Sequence, residues 1–166
     1  MDELQLLAEQ VVKDLIEKEI SLSAAESMTG GLFAKCITDV PGASKIFDRS
    51  LVTYSNRAKF EELNVVLKEI TLYGAVSKEV ANLMATGLNA KCGSRICISV
   101  TGVAGPGPDD RGVAEGTFYL GLYANNRCRV RKFELGSLGR DEIRRRACIE
   151  MFKMIDIVVK NELTTL

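Results

Sequence analysis

The sequence contains no histidine among its 166 residues. A Ser-His-Asp or Cys-His hydrolase is therefore excluded, because both need an imidazole as the general base. Zinc sites of the usual histidine-containing types are excluded for the same reason. Any nucleophile in this chain must be activated by a lysine, a tyrosine, a carboxylate or the start of a helix.

Other features are also scarce. The five cysteines include no Cys-x-x-Cys pair, which predicts reduced and mostly buried thiols. No apolar run is long enough to span a bilayer and the acidic N-terminus is unlike a signal peptide, so we expect no membrane association and a cytoplasmic location. Basic and acidic residues number 22 each, which argues against nucleic-acid binding but allows one small anionic ligand.

Helix-like and strand-like patterns alternate along the chain, whose length fits one domain, residues 1–166. Helices are predicted at 2–19, from the Thr29-Gly30-Gly31 turn through Ile37, and at 56–63, 67–73, 78–92 and 140–161. Strands are predicted at 20–25, 50–54, 96–100, 116–124 and 127–135, the last two joined by a hairpin turn. The interleaving predicts an α/β fold with a mixed sheet covered on both faces. Ligands of such sheets bind at the carboxyl ends of strands.

Ser27 lies where the first predicted strand ends and a helix begins. Free N–H groups at a helix start favour a negative oxygen near the serine hydroxyl. Gly30 and Gly31 would let a substrate approach the backbone closely. The alternative is a capped helix with a glycine-rich turn that binds no ligand.

Tyr54 and Lys59 straddle the boundary between the second predicted strand and the next helix. The lysine would lower the pKa of the tyrosine, or burial would hold the lysine itself neutral. Either outcome supplies a base for a serine in a chain without histidine. The alternative is an ordinary surface lysine and a tyrosine at the edge of the core.

Two later segments suit a bound nucleotide. Thr101 and Gly102 end a buried strand and open into a Gly/Pro loop, residues 103–112, that is typical of substrate-holding loops. Arg140 and Arg144 share one face of the last helix, and guanidinium groups bind phosphate or carboxylate as a fork. The alternatives are a plain strand exit and a solvated helix face. No Walker-type or G-x-G-x-x-G motif occurs, so nucleoside triphosphates and dinucleotide cofactors are unsupported.

Five segments, taken in order, resemble the C-terminal domain family of competence/damage-inducible protein A. They are Glu26–Gly31, Thr38–Ser44, Tyr54–Lys59, Gly74–Ser77 and Thr101–Pro106. The resemblance runs from about residue 24 to about residue 147. It implies a three-layer α/β/α sandwich, a homo-oligomer, and no metal or cofactor. The family includes amidohydrolases of nicotinamide mononucleotide, so the implied partner is a small nucleotide substrate.

The family's catalytic serine, tyrosine and lysine correspond to Ser27, Tyr54 and Lys59. Substrate binding is carried over to Thr101 and to an arginine of the last helix, best matched by Arg140 and then by Arg144. The sequence departs from the family pattern at Val113-Ala114, where a Lys-Pro is usual, and at Gly139, where an aspartate is usual.

The predicted reaction is acyl transfer through the Ser27 hydroxyl, which releases ammonia from the carboxamide of nicotinamide mononucleotide. Backbone amides at Thr29, Gly30 and Gly31 are expected to stabilise the oxyanion. Thr101-Gly102 and the two arginines are expected to hold ribose and phosphate. Whether Lys59 or Tyr54 is the base stays open. A nucleotide-binding module without turnover is the alternative. A short-chain reductase is disfavoured, because in those enzymes the lysine follows the tyrosine by four residues, whereas Lys59 follows Tyr54 by five.

Overall fold

A computed structural model describes residues 1–161 of the chain. Its helices are α1 (Glu3–Glu17), α2 (Leu32–Thr38), α3 (Asn56–Leu63), α4 (Leu67–Tyr73), α5 (Lys78–Cys92) and α6 (Arg140–Asn161). Its strands are β1 (Leu22–Glu26), β2 (Phe47–Val52), β3 (Ile96–Gly102), β4 (Thr117–Ala124) and β5 (Arg127–Glu134), and a short 3-10 turn covers Ala43–Lys45. None of the helices in residues 1–161 is long and apolar enough to cross a membrane.

The strands form one mixed sheet in the order β2-β1-β3-β4-β5. Strands β2, β1 and β3 are parallel, whereas β4 and β5 are antiparallel to their neighbours. Since parallel strands end at the same edge of a sheet, the segments that follow β1, β2 and β3 emerge side by side. The sheet topology therefore brings the candidate site residues of three distant segments to one edge.

Alternation along the strands divides the core into two layers. In β3, Ile96, Ile98 and Val100 pack with the apolar faces of α1, α2 and α6. Cys97 points the other way, into a smaller cluster with Leu63 of α3 and apolar residues of α4 and α5. Successive strand side chains point to opposite faces, so both faces of the sheet must be covered. The predicted three-layer α/β/α sandwich is confirmed.

Local capping explains where several helices begin. Asp2 caps α1 in a reciprocal pair with Gln5. Ser55 caps α3 by accepting the Ala58 amide at 3.0 Å. Ser77 caps α5 by accepting the Val80 amide at 3.2 Å. Each such cap stabilises the helix by about 1 kcal/mol.

The largest differences from the predicted bounds are those of β2 and α2, and both have identifiable reasons. Strand β2 begins at Phe47 and ends at Val52, rather than covering 50–54. It is an edge strand that carries exposed polar residues, so its first half lacks an apolar pattern. Helix α2 begins only at Leu32, because Gly30 and Gly31 have positive φ angles of 60° and 99°.

Candidate active site

A pocket of about 280 Å³ opens at the carboxyl edge of the three parallel strands. Residues that follow β1, β2 and β3 form its floor and walls, with contributions from α3 and from the start of α6. The lining consists of Ser27, Met28, Tyr54, Asn56, Lys59, Ala75, Val76, Thr101 to Asp109, and Arg140. Five segments of the chain therefore meet around one cavity.

The Ser27 hydroxyl and the Lys59 amine meet at the base of this pocket. Ser27 follows β1 directly, and its N–H donates to the Val100 carbonyl of β3 at 3.1 Å, which fixes the serine backbone to the sheet. Lys59 lies in the second turn of α3, and its Nζ is 3.0 Å from Ser27 Oγ. Ser27 is 8% exposed and Lys59 only 1%. The two reactive groups are thus held in contact and shielded from bulk water.

The surroundings of Lys59 favour its neutral form. Besides Ser27 Oγ, its Nζ contacts the carbonyl oxygens of Thr53 at 2.9 Å and Tyr54 at 3.3 Å, and both are uncharged. Burial lowers the pKa of Lys59 to about 8. A neutral amine has two hydrogens and one lone pair. As an ammonium, Lys59 donates to Ser27 Oγ and to both carbonyls. As a neutral amine, its two hydrogens match the two carbonyls, and its lone pair is then free to accept the Ser27 hydroxyl proton.

Tyr54 occupies the mouth of the pocket, away from the lysine amine. Its side chain is 60% exposed, and its hydroxyl accepts a hydrogen bond from Arg140 Nη2 at 3.0 Å. Arg140 also donates through Nη1 to the Gly105 carbonyl in the loop after β3. Arg140 therefore links the two sides of the pocket mouth. Of the two bases left open by the sequence, Lys59 is the one in contact with the Ser27 hydroxyl.

Thr101 and Gly102, which were predicted to bind substrate, line the pocket. The Thr101 side chain is buried, and its hydroxyl donates to the Ala75 carbonyl at 2.8 Å, which ties β3 to the segment before α5. A Cβ on Gly102 would come within 2.3 Å of Met28 Sδ and 2.4 Å of Phe118 Cβ. Packing on both sides therefore requires glycine at position 102.

Four residues predicted to bind substrate are not among the residues that line this pocket, so their role in substrate binding stays a prediction. They are Thr29, Gly30, Gly31 and Arg144. The buried Thr29 hydroxyl donates to a carboxylate in the core at 2.8 Å. Arg144 Nη2 donates to the Thr29 carbonyl at 2.7 Å and lies against Gly30. Thr29 and Arg144 therefore stabilise the turn after Ser27 through contacts on the side away from the pocket.

That carboxylate belongs to Glu26, a residue to which the sequence analysis gave no role. Glu26 is fully buried and accepts four hydrogen bonds from hydroxyl and amide donors around it. The donors are the Thr29 hydroxyl, the Phe33 and Ala34 amides, and the Ser50 hydroxyl. The Phe33 and Ala34 amides in the first turn of α2 therefore bind Glu26 and not a substrate oxyanion. A carboxylate at the end of a predicted strand, just before a helix start, was the signal in the sequence that could have predicted this role.

The loop of residues 103–112 forms one wall of the pocket and is braced by acidic side chains that the sequence analysis also missed. Asp109 Oδ1 accepts the amides of Arg111 at 2.9 Å and Val113 at 2.8 Å. Glu115 accepts the Gly107 amide at 3.1 Å. Arg111 donates to the Thr71 carbonyl at 2.7 Å, which joins the loop to α4. These contacts fix the wall that faces Ser27.

Fold and site together define an α/β/α sandwich protein with a buried serine–lysine pair in a pocket at the carboxyl edge of its parallel strands. The chain belongs to the CinA C-terminal domain family, whose model matches residues 4–159.

Relatives carry related names. The chain is 42% identical over 142 residues to the "CinA-like protein" of Kosmotoga olearia, covering 85% of this chain and 34% of that relative. It is 41% identical over 149 residues to the "Putative competence-damage inducible protein" of Caldanaerobacter subterraneus subsp. tengcongensis, covering 90% of this chain and 36% of that relative. The chain thus spans about a third of the length of these curated relatives.

Solved structures share the fold along nearly the entire chain. The competence/damage inducible protein CihA from Agrobacterium tumefaciens superposes with a TM-score of 0.91 at 33% identity, covering 97% of this chain and 98% of that one. A CinA superfamily protein from Klebsiella pneumoniae superposes with a TM-score of 0.90 at 24% identity, covering 94% of this chain and 97% of that one. The second likeness concerns the fold alone.

Proposed function

We propose that the chain is an amidohydrolase that converts nicotinamide mononucleotide to nicotinic acid mononucleotide and ammonia, with Ser27 as nucleophile. One observation carries the proposal: Lys59 Nζ lies 3.0 Å from Ser27 Oγ, and its other partners are uncharged carbonyls. A lysine whose pKa burial lowers to about 8 is a competent base near neutral pH. The choice of substrate rests on the family resemblance.

In the proposed first half-reaction, neutral Lys59 takes the Ser27 hydroxyl proton while Oγ attacks the carboxamide carbon. The tetrahedral intermediate collapses when the Lys59 ammonium gives that proton to the departing nitrogen. Ammonia leaves, and an ester joins the substrate acyl group to Ser27. Met28 directly follows the nucleophile and lines the pocket, so we assign its backbone N–H as an oxyanion donor.

In the second half-reaction, neutral Lys59 takes a proton from water, which attacks the ester carbon. Collapse of this intermediate expels Ser27 Oγ, which regains its proton from Lys59. Atoms balance as amide plus water giving carboxylic acid plus ammonia. Arg140, with Tyr54 beside it at the pocket mouth, is the proposed partner of the nucleotide phosphate, because a guanidinium binds oxyanions through paired donors.

The test is ammonia release from nicotinamide mononucleotide by the purified chain and by Ser27→Ala. We expect release by the wild type and a loss of about a thousandfold or more in the variant. Ser44→Ala is the matched control, since Ser44 is an exposed hydroxyl outside the pocket lining. Calorimetric titration of the nucleotide with Ser27→Ala measures binding separately.

Nucleotide binding without ammonia release by the wild type would instead support the second candidate, a nucleotide-binding module. The exposed Arg140 at an open pocket mouth fits that function equally well. Two further expectations, homo-oligomerisation and a cytoplasmic location, stay predictions. Analytical ultracentrifugation of the purified chain tests the first.

A further inference from the structure

Two cysteine thiols lie in contact at the edge of the sheet opposite the pocket. Cys92 is the last residue of α5 and Cys97 is the second residue of β3, with a tight turn through Gly93 between them. Their Sγ atoms are 3.9 Å apart. The pair therefore lies near the amino ends of the parallel strands, whereas Ser27 and Thr101 lie near the carboxyl ends.

The two thiols differ in exposure and in chemistry. Cys97 is fully buried, and burial raises the pKa of its thiol. Cys92 is partly exposed and contacts Ser94 Oγ at 3.5 Å, and Ser94 Oγ is 2.7 Å from Ser23 Oγ. Although burial opposes it, hydrogen bonding by Ser23 and Ser94 lowers the pKa of Cys92 below its usual value. Cys92 is thus the accessible and more acidic partner.

We propose that Cys92 and Cys97 are an oxidation site, at which hydrogen peroxide converts the two thiols to an intramolecular disulfide. Redox-responsive cysteines are typically accessible, acidic and next to a second thiol that resolves the first oxidation product. A disulfide has an S–S length of about 2.05 Å, so the sulfurs must approach by about 2 Å. Cys92 ends its helix, and apart from the adjoining residues no atom lies within 4 Å of the position that a Cβ on Gly93 would take, so there is space beside the turn for the backbone to shift.

The chemistry balances with peroxide as the only co-reactant. The Cys92 thiolate attacks one peroxide oxygen, the O–O bond breaks, and a sulfenic acid and hydroxide form. The Cys97 sulfur then attacks the Cys92 sulfur and loses its proton, while the sulfenic oxygen leaves as water. In sum, two thiols and one peroxide give one disulfide and two waters. Sulfur is oxidised and peroxide oxygen is reduced.

The other three thiols have surroundings that disfavour this reaction. Cys36 and Cys148 are buried, and burial raises the pKa of Cys36 to about 11 and the pKa of Cys148 still further. Cys128 matches Cys92 in being partly exposed, but burial raises its pKa, and its sulfur contacts the Asn82 and Arg129 carbonyls. Cys128 is therefore a matched control, because it is partly exposed like Cys92 but has no second thiol among its sulfur contacts.

The experiment treats the reduced chain with a small excess of hydrogen peroxide, blocks the remaining thiols and digests with trypsin. Cleavage after Lys91 and Arg95 separates Cys92 from Cys97, so a disulfide joins the peptides 92–95 and 96–111. We expect that linked peptide by mass spectrometry. We also expect the thiol count of the denatured chain to fall from five to three, with recovery on reduction.

Variants separate this disulfide from general oxidation. Cys128→Ser should still lose two thiols, whereas Cys92→Ser should lose none. Cys97→Ser should accumulate a sulfenic acid on Cys92, which dimedone traps. Recovery of peptides 92–95 and 96–111 unlinked in the treated wild type, or linkage of Cys92 to another cysteine, would overturn the proposal. The readouts do not use amidase activity and so are independent of the proposed function.

Discussion

The Ser27 hydroxyl lies 3.0 Å from the Lys59 amine, although 32 residues separate them in sequence. The contact exists because β1 and β2 are parallel neighbours, so the turn after β1 and the helix after β2 start from the same edge of the sheet. Lys59 reaches Ser27 from the second turn of α3, and both are buried.

The amidase rate should follow the deprotonation of Lys59. Because only the neutral amine accepts a proton, kcat/KM should fall about tenfold per pH unit below an apparent pKa of about 8 and level off above it. Tyr54→Phe should keep this profile, since the Tyr54 hydroxyl contacts Arg140 and not Ser27. Rate measurements from pH 6 to pH 10 on both proteins test this. Loss of the step near pH 8 in Tyr54→Phe would instead identify Tyr54 as the base.

The two arginines of α6 should have separable effects. Arg140→Met removes a guanidinium from the pocket mouth, and we expect KM to rise about tenfold to a hundredfold with little change in Tm. Arg144→Met removes the guanidinium donor of the Thr29 carbonyl, which keeps the Leu32 amide at 3.1 Å, so we expect a loss of about 1 kcal/mol in the free energy of unfolding with little change in KM. Steady-state kinetics and urea unfolding of both variants distinguish the roles. The reverse pattern would return Arg144 to the substrate site.

Glu26 should contribute strongly to the stability of the folded chain. Glu26→Gln places an amide NH₂ among the four groups that now donate to the carboxylate, so at least one donor is left unpaired. We expect a loss of about 2–4 kcal/mol in the free energy of unfolding. Glu17→Gln, at an exposed position at the end of α1, is the matched control and should change stability by less than about 0.5 kcal/mol. Equal effects of the two changes would refute the bracing role of Glu26.

Burial of Lys59 should also make the free energy of unfolding depend on pH. Its folded pKa of about 8 is below the ordinary value of 10.5, so between these pH values the unfolded chain binds a proton that the folded chain does not. Stability therefore rises with pH in that window, by about 3 kcal/mol for this group alone. Unfolding of the wild type and Lys59→Met at pH 7.5 and pH 10.5 isolates the effect. The wild type should gain about that amount relative to the variant, and a constant difference would contradict the shift.

Several elements were accessible to sequence reasoning because their signals are local. The bounds predicted for α3, α4, α5 and α6 agree with the structure, since apolar spacing and caps such as Ser77 act within one or two turns. The hairpin of β4 and β5 turns at Asn125 and Asn126, both with positive φ as that turn requires. By contrast, the bounds of edge strand β2 were misplaced, because exposed polar residues gave it no periodic pattern.

The sequence by itself determined the alternation of helices and strands, the absence of an imidazole, and the set of residues from which a base had to come. Only the tertiary structure decided which of them meet. It placed Lys59 against Ser27 and Tyr54 against Arg140, and it turned Thr29 and Arg144 toward Glu26 and the backbone behind the turn. The reason is physical: strand order and helix packing set distances between segments far apart in the chain, and local spacing carries no record of them.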